Sequence, residues 1–167
     1  SIADEEFVRL FAEQLQAARL PPGCIMVEIT EQAAITNLAR ANEMIRKLGA
    51  LGCRLALDDF GTGANSLVSL KSLQIARVKI DGSFVRDIVT DQRSEATVRA
   101  IVELAKGYGI DTVAEYVENR AISDAVRRLG VDYAQGYAYA KPEPLAGLLE
   151  ELSRDESHRL HKLFLEM

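Results

Sequence analysis

Five apolar runs, each closed by a charged or amide side chain, alternate along this chain with segments of helical spacing, and that alternation constrains its fold more than any other feature. The runs are Ile25 to Ile29 around Glu28, Cys53 to Leu57 before Asp58 and Asp59, Ala76 to Ile80 around Lys79 and Asp81, Asp111 to Ala114 before Glu115, and Val131 to Ala134 before Gln135. Between them, Thr36 to Leu51 sets Leu38, Ala41, Ile45, Leu48 and Leu51 at helical intervals, and Glu95 to Tyr108 does the same with Val98, Ile101, Val102 and Ala105. Strands alternating with helices predict a parallel sheet. In a (β/α) barrel the C-terminal strand ends converge on one mouth, where residues serve chemistry, while the opposite end serves stability. Glu28, Asp58, Asp59, Lys79, Glu115 and Gln135 would then share one pocket. Strands also end in charge simply because they reach water, but that explanation predicts polar residues at both ends. Here the residues ahead of the strands are small or apolar, as in Leu51, Gly52 and Cys53 or Tyr108, Gly109 and Ile110.

The densest of these ends is DDFGTG, residues 58 to 63. Strand side chains alternate between faces, so adjacent aspartates cannot both line one face unless the strand is ending there. Two acids at a strand end suggest a bridging metal ligand; the competing reading is that Asp58 and Asp59 cap a helix beginning near Asn65. The carboxylates Glu28, Asp58, Asp59 and Glu115 would repel a phosphate substrate unless cations reversed the field. Mg²⁺ and Mn²⁺ prefer such oxygen ligands, and the chain has no Cys/His spacing suited to zinc. Two such ions about 3.5 to 4 Å apart can activate a water and stabilise both oxygens of an in-line displacement at phosphorus. Among these acids Lys79 stays protonated and serves as a positioner rather than a base. The plainer alternatives are a snorkelling strand lysine at 79 and a surface acid at 115.

Composition excludes other classes. With 48% hydrophobic and 27% charged residues and no low-complexity tract, the chain reads as one ordinary globular domain. A net charge of −5 without a basic stripe argues against polymeric DNA or RNA as a partner. No apolar run reaches membrane-spanning length and no secretory signal is present, so the expectation is a cytoplasmic domain making no membrane contact, whose parent could be anchored through other domains. Cys24 and Cys53, at strand starts, are expected as buried thiols rather than as a disulfide.

The stretches VEITE (27 to 31), DDFGTG (58 to 63), VKID (78 to 81), AEYVE (114 to 118) and QGY (135 to 137) resemble, in order and spacing, the successive motifs of the EAL-domain family of cyclic di-GMP phosphodiesterases. The resemblance extends from about Phe7 to Leu152. It implies an α/β fold, a TIM-like (β/α) barrel, and metal-dependent opening of cyclic di-GMP to linear pGpG with two Mg²⁺ or Mn²⁺ ions. Carried over residue by residue, it implies Glu28 and Asp58 at a first metal, with Asp58 bridging to a second ion that also contacts Asp59. Lys79 orients the attacking water, Glu115 is the general base, Glu118 joins the metal and water network, and Gln135 contacts the substrate. Glu31 tethers the loop from Phe60 to Ser66, and Gly61 and Gly63 let that loop couple dimerisation to metal binding.

The largest departure is that the Glu-Ala-Leu tripeptide, a first-strand metal ligand in the family, does not occur, nor does an Asn ligand that members carry ahead of the segment matching Ser1 to Phe7. TIM barrels run from about 200 residues upward, and this chain has 167. The resemblance is therefore to the C-terminal two thirds of an EAL domain, a barrel incomplete at the N-terminus over residues 1 to 152. An amphipathic C-terminal helix is expected over 153 to 167, carrying His158 and His161 on a solvated or packing face. Missing strands would leave an unpaired parallel edge, so the fragment is expected to self-associate or rearrange and to hydrolyse weakly. Tyr116 stands where many relatives have Gly; a positive φ there would strain the turn, and a packing role for the ring is the alternative. Asp4 to Ala18 reads as an outer helix with Phe7, Leu10, Phe11 and Leu15 on one face, stopped by Pro21, Pro22 and Gly23. The functional expectation is a phosphodiesterase domain with regulatory or sensor domains in its parent chain, impaired in this truncated form. The alternative is an inactive cyclic di-GMP receptor that binds without hydrolysis, and a third option is another metal-dependent TIM-barrel hydrolase. Retention of Asp58, Asp59, Lys79 and Glu115 together favours the enzyme, because a receptor has no need of all four.

Overall fold

A computed structural model of the chain describes residues 5–63 and 66–147. Asn65, the expected helix over 153 to 167 and its His158 and His161 lie outside the described residues. Among those described, helices and strands alternate as α1 (Glu5–Ala18), β1 (Met26–Thr30), α2 (Glu31–Thr36), α3 (Leu38–Ala50), β2 (Arg54–Phe60), α4 (Ser66–Ser72), β3 (Arg77–Ile80), α5 (Gly82–Arg86), α6 (Gln92–Tyr108), β4 (Asp111–Ala114), α7 (Arg120–Arg128) and β5 (Tyr133–Ala134). The strands follow one another across the sheet in chain order, β1-β2-β3-β4-β5, and the β1–β2 and β4–β5 pairs are parallel. This is the repeating β/α unit of a TIM-like fold, with five of its strands among the described residues.

The chain divides into two compact units, one holding residues 1–79 with 107–110, the other 80–106 with 111–167. In the first, β1 and β2 pair from Met26–Arg54 to Thr30–Asp58. Partners in register point to the same face, so Ile29 and Leu57, both buried, mark the face covered by helices. That face meets the apolar stripe of α3, where Ala41, Met44, Ile45 and Leu48 are all buried. The helical spacing from Thr36 to Leu51 spans two helices rather than one. Thr36 ends α2, and Asn37, at φ −151°, starts α3 by accepting the Arg40 N–H at 3.0 Å. In the second unit, α6 begins three residues before the first expected position because Asp91 takes the N–H groups of Arg93 and Ser94. These bonds hold the Asp91 carboxyl below its usual range.

One expectation about the cysteines is corrected. Cys53 is buried at the start of β2, but Cys24, ahead of β1, is exposed, because the turn at Pro21 to Gly23 carries it out over the surface. Both are free thiols. Burial pushes the Cys53 thiol up, so less of it is thiolate at any given pH. A disulfide reagent at about pH 8 should therefore modify Cys24 at least about tenfold faster than Cys53 in the folded protein, and both alike in denaturant. Equal rates without denaturant would show that Cys53 is reached by solvent.

Candidate functional site

In the first unit the site starts from strand register. Asp58 pairs with Thr30, two residues beyond Glu28, so Glu28 and Asp58 stand on the sheet face opposite Ile29 and Leu57. Lys79, near the end of β3, is buried at 6% exposure and brings its ammonium between them. Its Nζ donates to Glu28 Oε2 at 2.8 Å and lies 2.9 Å from Asp58 Oδ1. The second contact is an ion pair whose alignment falls short of a hydrogen bond, which leaves Asp58 Oδ1 buried with no hydrogen-bond partner.

Asp59 resolves the alternation problem posed by adjacent acids. Its φ is +55°, a left-handed conformation that turns its side chain out of the strand's alternation at the strand end. Asp58 and Asp59 thus bring carboxylate oxygens within 4.8 Å of each other. The chain continues through Gly61, at φ +101°, where a side chain would be strained. Glu31, at the start of α2 and 1% exposed, ties this loop down. It accepts the Gly61 N–H at 3.0 Å and the Ser66 hydroxyl at 2.6 Å. A side chain at position 63 would place its Cβ 2.5 Å from Glu31 Oε1, so glycine at this position is a packing requirement.

The second unit holds the other expected residues on and after β4 and β5. Glu115, at 7% exposure, follows β4 directly, and its N–H donates to the Ile80 carbonyl. Gln135, following β5, donates from Nε2 to Glu115 Oε1 at 2.8 Å. The amide thus orients the carboxylate, a relation that separate motif positions did not disclose. Both line an open cavity of about 450 Å³ with Tyr116, Glu118, Tyr137 and Lys141. Tyr116 has φ +53°, as feared from its position, and its ring packs against Gly82 with the Arg86 guanidinium 3.9 Å above it. The packing alternative for this ring is what the geometry shows, together with the left-handed turn.

The donor set suits a hard divalent cation. Asp58 and Asp59 offer carboxylate oxygens within 4.8 Å of one another, and the buried Asp58 Oδ1, paired with the Lys79 ammonium but accepting no hydrogen bond, sits where positive charge is favoured. No helix among the described residues is long and apolar enough to cross a membrane.

Comparison with known proteins bears on the family and the fold. The family model for the EAL domain matches residues 1–142. Cyclic di-GMP phosphodiesterase PdeB of Shewanella oneidensis is 43% identical over 151 residues, covering 90% of this chain and 18% of that protein. Cyclic di-GMP phosphodiesterase PdeF of Escherichia coli is 44% identical over 128 residues, covering 77% of this chain and 17% of that protein. The chain therefore spans less than a fifth of the length of these relatives. Among solved structures, the EAL domain of Mycobacterium smegmatis DcpA superposes with a TM-score of 0.82 at 33% identity, covering 90% of this chain and 67% of that one. The EAL domain of Pseudomonas aeruginosa FimX bound to c-di-GMP gives a TM-score of 0.80 at 27% identity, covering 85% and 58%. Motif order, strand-end acids and a family match over most of the chain make this protein a member of the EAL-domain family.

Proposed function

We propose that this chain is part of a cyclic di-GMP phosphodiesterase that opens the cyclic dinucleotide to linear pGpG. The observation that carries the reading is the nearly buried Lys79 ammonium paired with two strand-end carboxylates, in a family whose matched relatives are named for this reaction. Glu28, Asp58, Asp59 and Glu118 would hold two ions, Mg²⁺ or Mn²⁺, which supply charge neutralisation of the phosphodiester and an acidified water. Lys79, as a donor fixed by its two carboxylates, orients the water that attacks phosphorus. Glu115, its carboxylate held by Gln135, takes the proton. Gln135 also faces the cavity in which the dinucleotide lies. Glu31 keeps the loop after Asp59 in place. Free thiols at Cys24 and Cys53 suit the reducing cytoplasm. Regulatory or sensor domains in the parent chain, and a homodimer coupled through the Gly61 loop, complete the proposal. It includes no polymeric nucleic acid and no membrane contact by this domain.

The test is incubation of the full-length protein with cyclic di-GMP and Mg²⁺, Mn²⁺ or Ca²⁺, with products separated by anion exchange. The expected outcome is linear pGpG with Mg²⁺ or Mn²⁺. Binding of cyclic di-GMP without any product would replace the enzyme by a receptor, as the c-di-GMP-bound FimX domain illustrates. Neither binding nor turnover would overturn both.

A further inference from the structure

Tyr116 adopts a conformation that non-glycine residues rarely occupy, with φ +53°, directly beside the candidate base. Backbone hydrogen bonds fix the residues on either side of it. Glu115 N–H donates to the Ile80 carbonyl and Val117 N–H to the Gln135 carbonyl, while the Val117 carbonyl accepts from Ala138 at 2.9 Å. Tyr116 itself is held by its ring. The Arg86 guanidinium lies 3.9 Å from the ring centroid, within cation–π range, and the ring fills the space that a Cβ at position 82 would need. Gly82 opens α5, where the Asp81 carboxylate accepts the Ser83 N–H, so the surface under the ring is itself anchored.

Resting on the phosphodiesterase reading, we infer that Tyr116 is a positioning residue for Glu115: its ring, seated on Gly82 and covered by Arg86, locks the left-handed turn that presents the Glu115 carboxylate to Gln135 and the cavity. The ring acts by fixing backbone that has a competing, less strained conformation. Removing the lock lets the turn relax and leaves Glu115 less often in place, which lowers turnover more than substrate binding.

Gly82→Ala tests this by displacing the ring from beneath while leaving the Glu115 and Gln135 side chains themselves unchanged. Alanine is the better helix former and Gly82 carries no positive φ, so on propensity alone the change should stabilise α5. Displacing the ring should instead speed hydrogen–deuterium exchange across residues 114–118 in the full-length protein. It should also lower kcat for cyclic di-GMP about tenfold with KM unchanged within about twofold. Arg86→Met, at an exposed position, should give the same pattern more weakly, and serves if the alanine variant does not fold. Tyr116→Phe keeps the ring and should keep exchange across residues 114–118 at the wild-type rate, whereas Tyr116→Gly relieves the backbone but leaves the turn loose. Unchanged exchange in Gly82→Ala and Arg86→Met, or full kcat in Tyr116→Gly, overturns the positioning role. If the wild-type protein does not hydrolyse cyclic di-GMP, the functional reading fails, and the exchange pattern alone still decides whether the ring holds the Glu115 turn.

Discussion

Replacing Lys79 with alanine in the full-length protein is expected to lower kcat for cyclic di-GMP by at least about a hundredfold, the scale of losing one preorganised donor at a reacting centre. The ammonium is 6% exposed and engages Glu28 and Asp58 at 2.8 and 2.9 Å, so no other orientation of the side chain keeps both contacts. Its removal makes the site more negative. Mg²⁺ affinity should therefore hold or rise while turnover collapses, a combination that separates a water-positioning lysine from one that merely balances charge. The stability cost stays below the roughly 3–5 kcal/mol of breaking a fully buried pair, because the Glu28 side chain is 46% exposed and water can reach it. Lys79→Arg should not rescue, since a planar guanidinium cannot place one nitrogen between two carboxylates on adjacent strands as an ammonium does. A magnesium titration of kcat measures both effects. Activity of the alanine variant within about threefold of wild type would remove Lys79 from the mechanism.

The parts of this fold that could be read from the sequence are those governed by periodicity within one segment. Leu55, Leu57 and Ile29 alternate with Ala56, Asp58 and Glu28, which fixes the faces, whereas the register that sets Asp58 beside Thr30 is seen only in the structure. β2, β3 and β4 began and ended close to their apolar runs, whereas β5 shrank from Val131 to Ala134 down to Tyr133–Ala134. The break at Asn37 was hidden because apolar spacing continues through it; what ends α2 there is a local cap, which carries no periodic signal. α5 and α7 are short and capped by Asp81 and Asn119, so each offers too few turns for a stripe to be recognised. Tyr116 marks the other limit. Its departure from glycine flagged a positive φ, but its seat on Gly82 under Arg86 depends on residues about thirty positions away, which no local pattern records. The bond from Gln135 to Glu115 was hidden for the same reason, although each residue had been picked out separately.

Glu31→Ala should be the most destabilising change in the first unit outside its apolar core. The carboxylate is 1% exposed and takes two hydrogen bonds, from the Gly61 N–H at 3.0 Å and the Ser66 hydroxyl at 2.6 Å. Bonds to a charged acceptor contribute about 1.5–3 kcal/mol each, so losing both is expected to cost about 3–6 kcal/mol in denaturant unfolding. The consequence at the site follows from connectivity. Gly61 lies two residues after Asp59, whose left-handed φ of +55° aims its carboxylate towards that of Asp58. With Glu31 truncated, the loop loses its bonds at Gly61 and Ser66, and Mg²⁺ affinity should fall with stability. Glu31→Gln distinguishes the two contributions. Its amide oxygen can still accept from Gly61 while the Ser66 hydroxyl turns to accept from the amide nitrogen, so most of the stability should return. If the glutamine variant regains stability but not Mg²⁺ affinity, the negative charge of Glu31 acts on the ion over a distance; if it regains both, the tether alone matters. An alanine variant that unfolds within about 0.5 kcal/mol of wild type would mean that the Asp58–Asp59 turn holds itself.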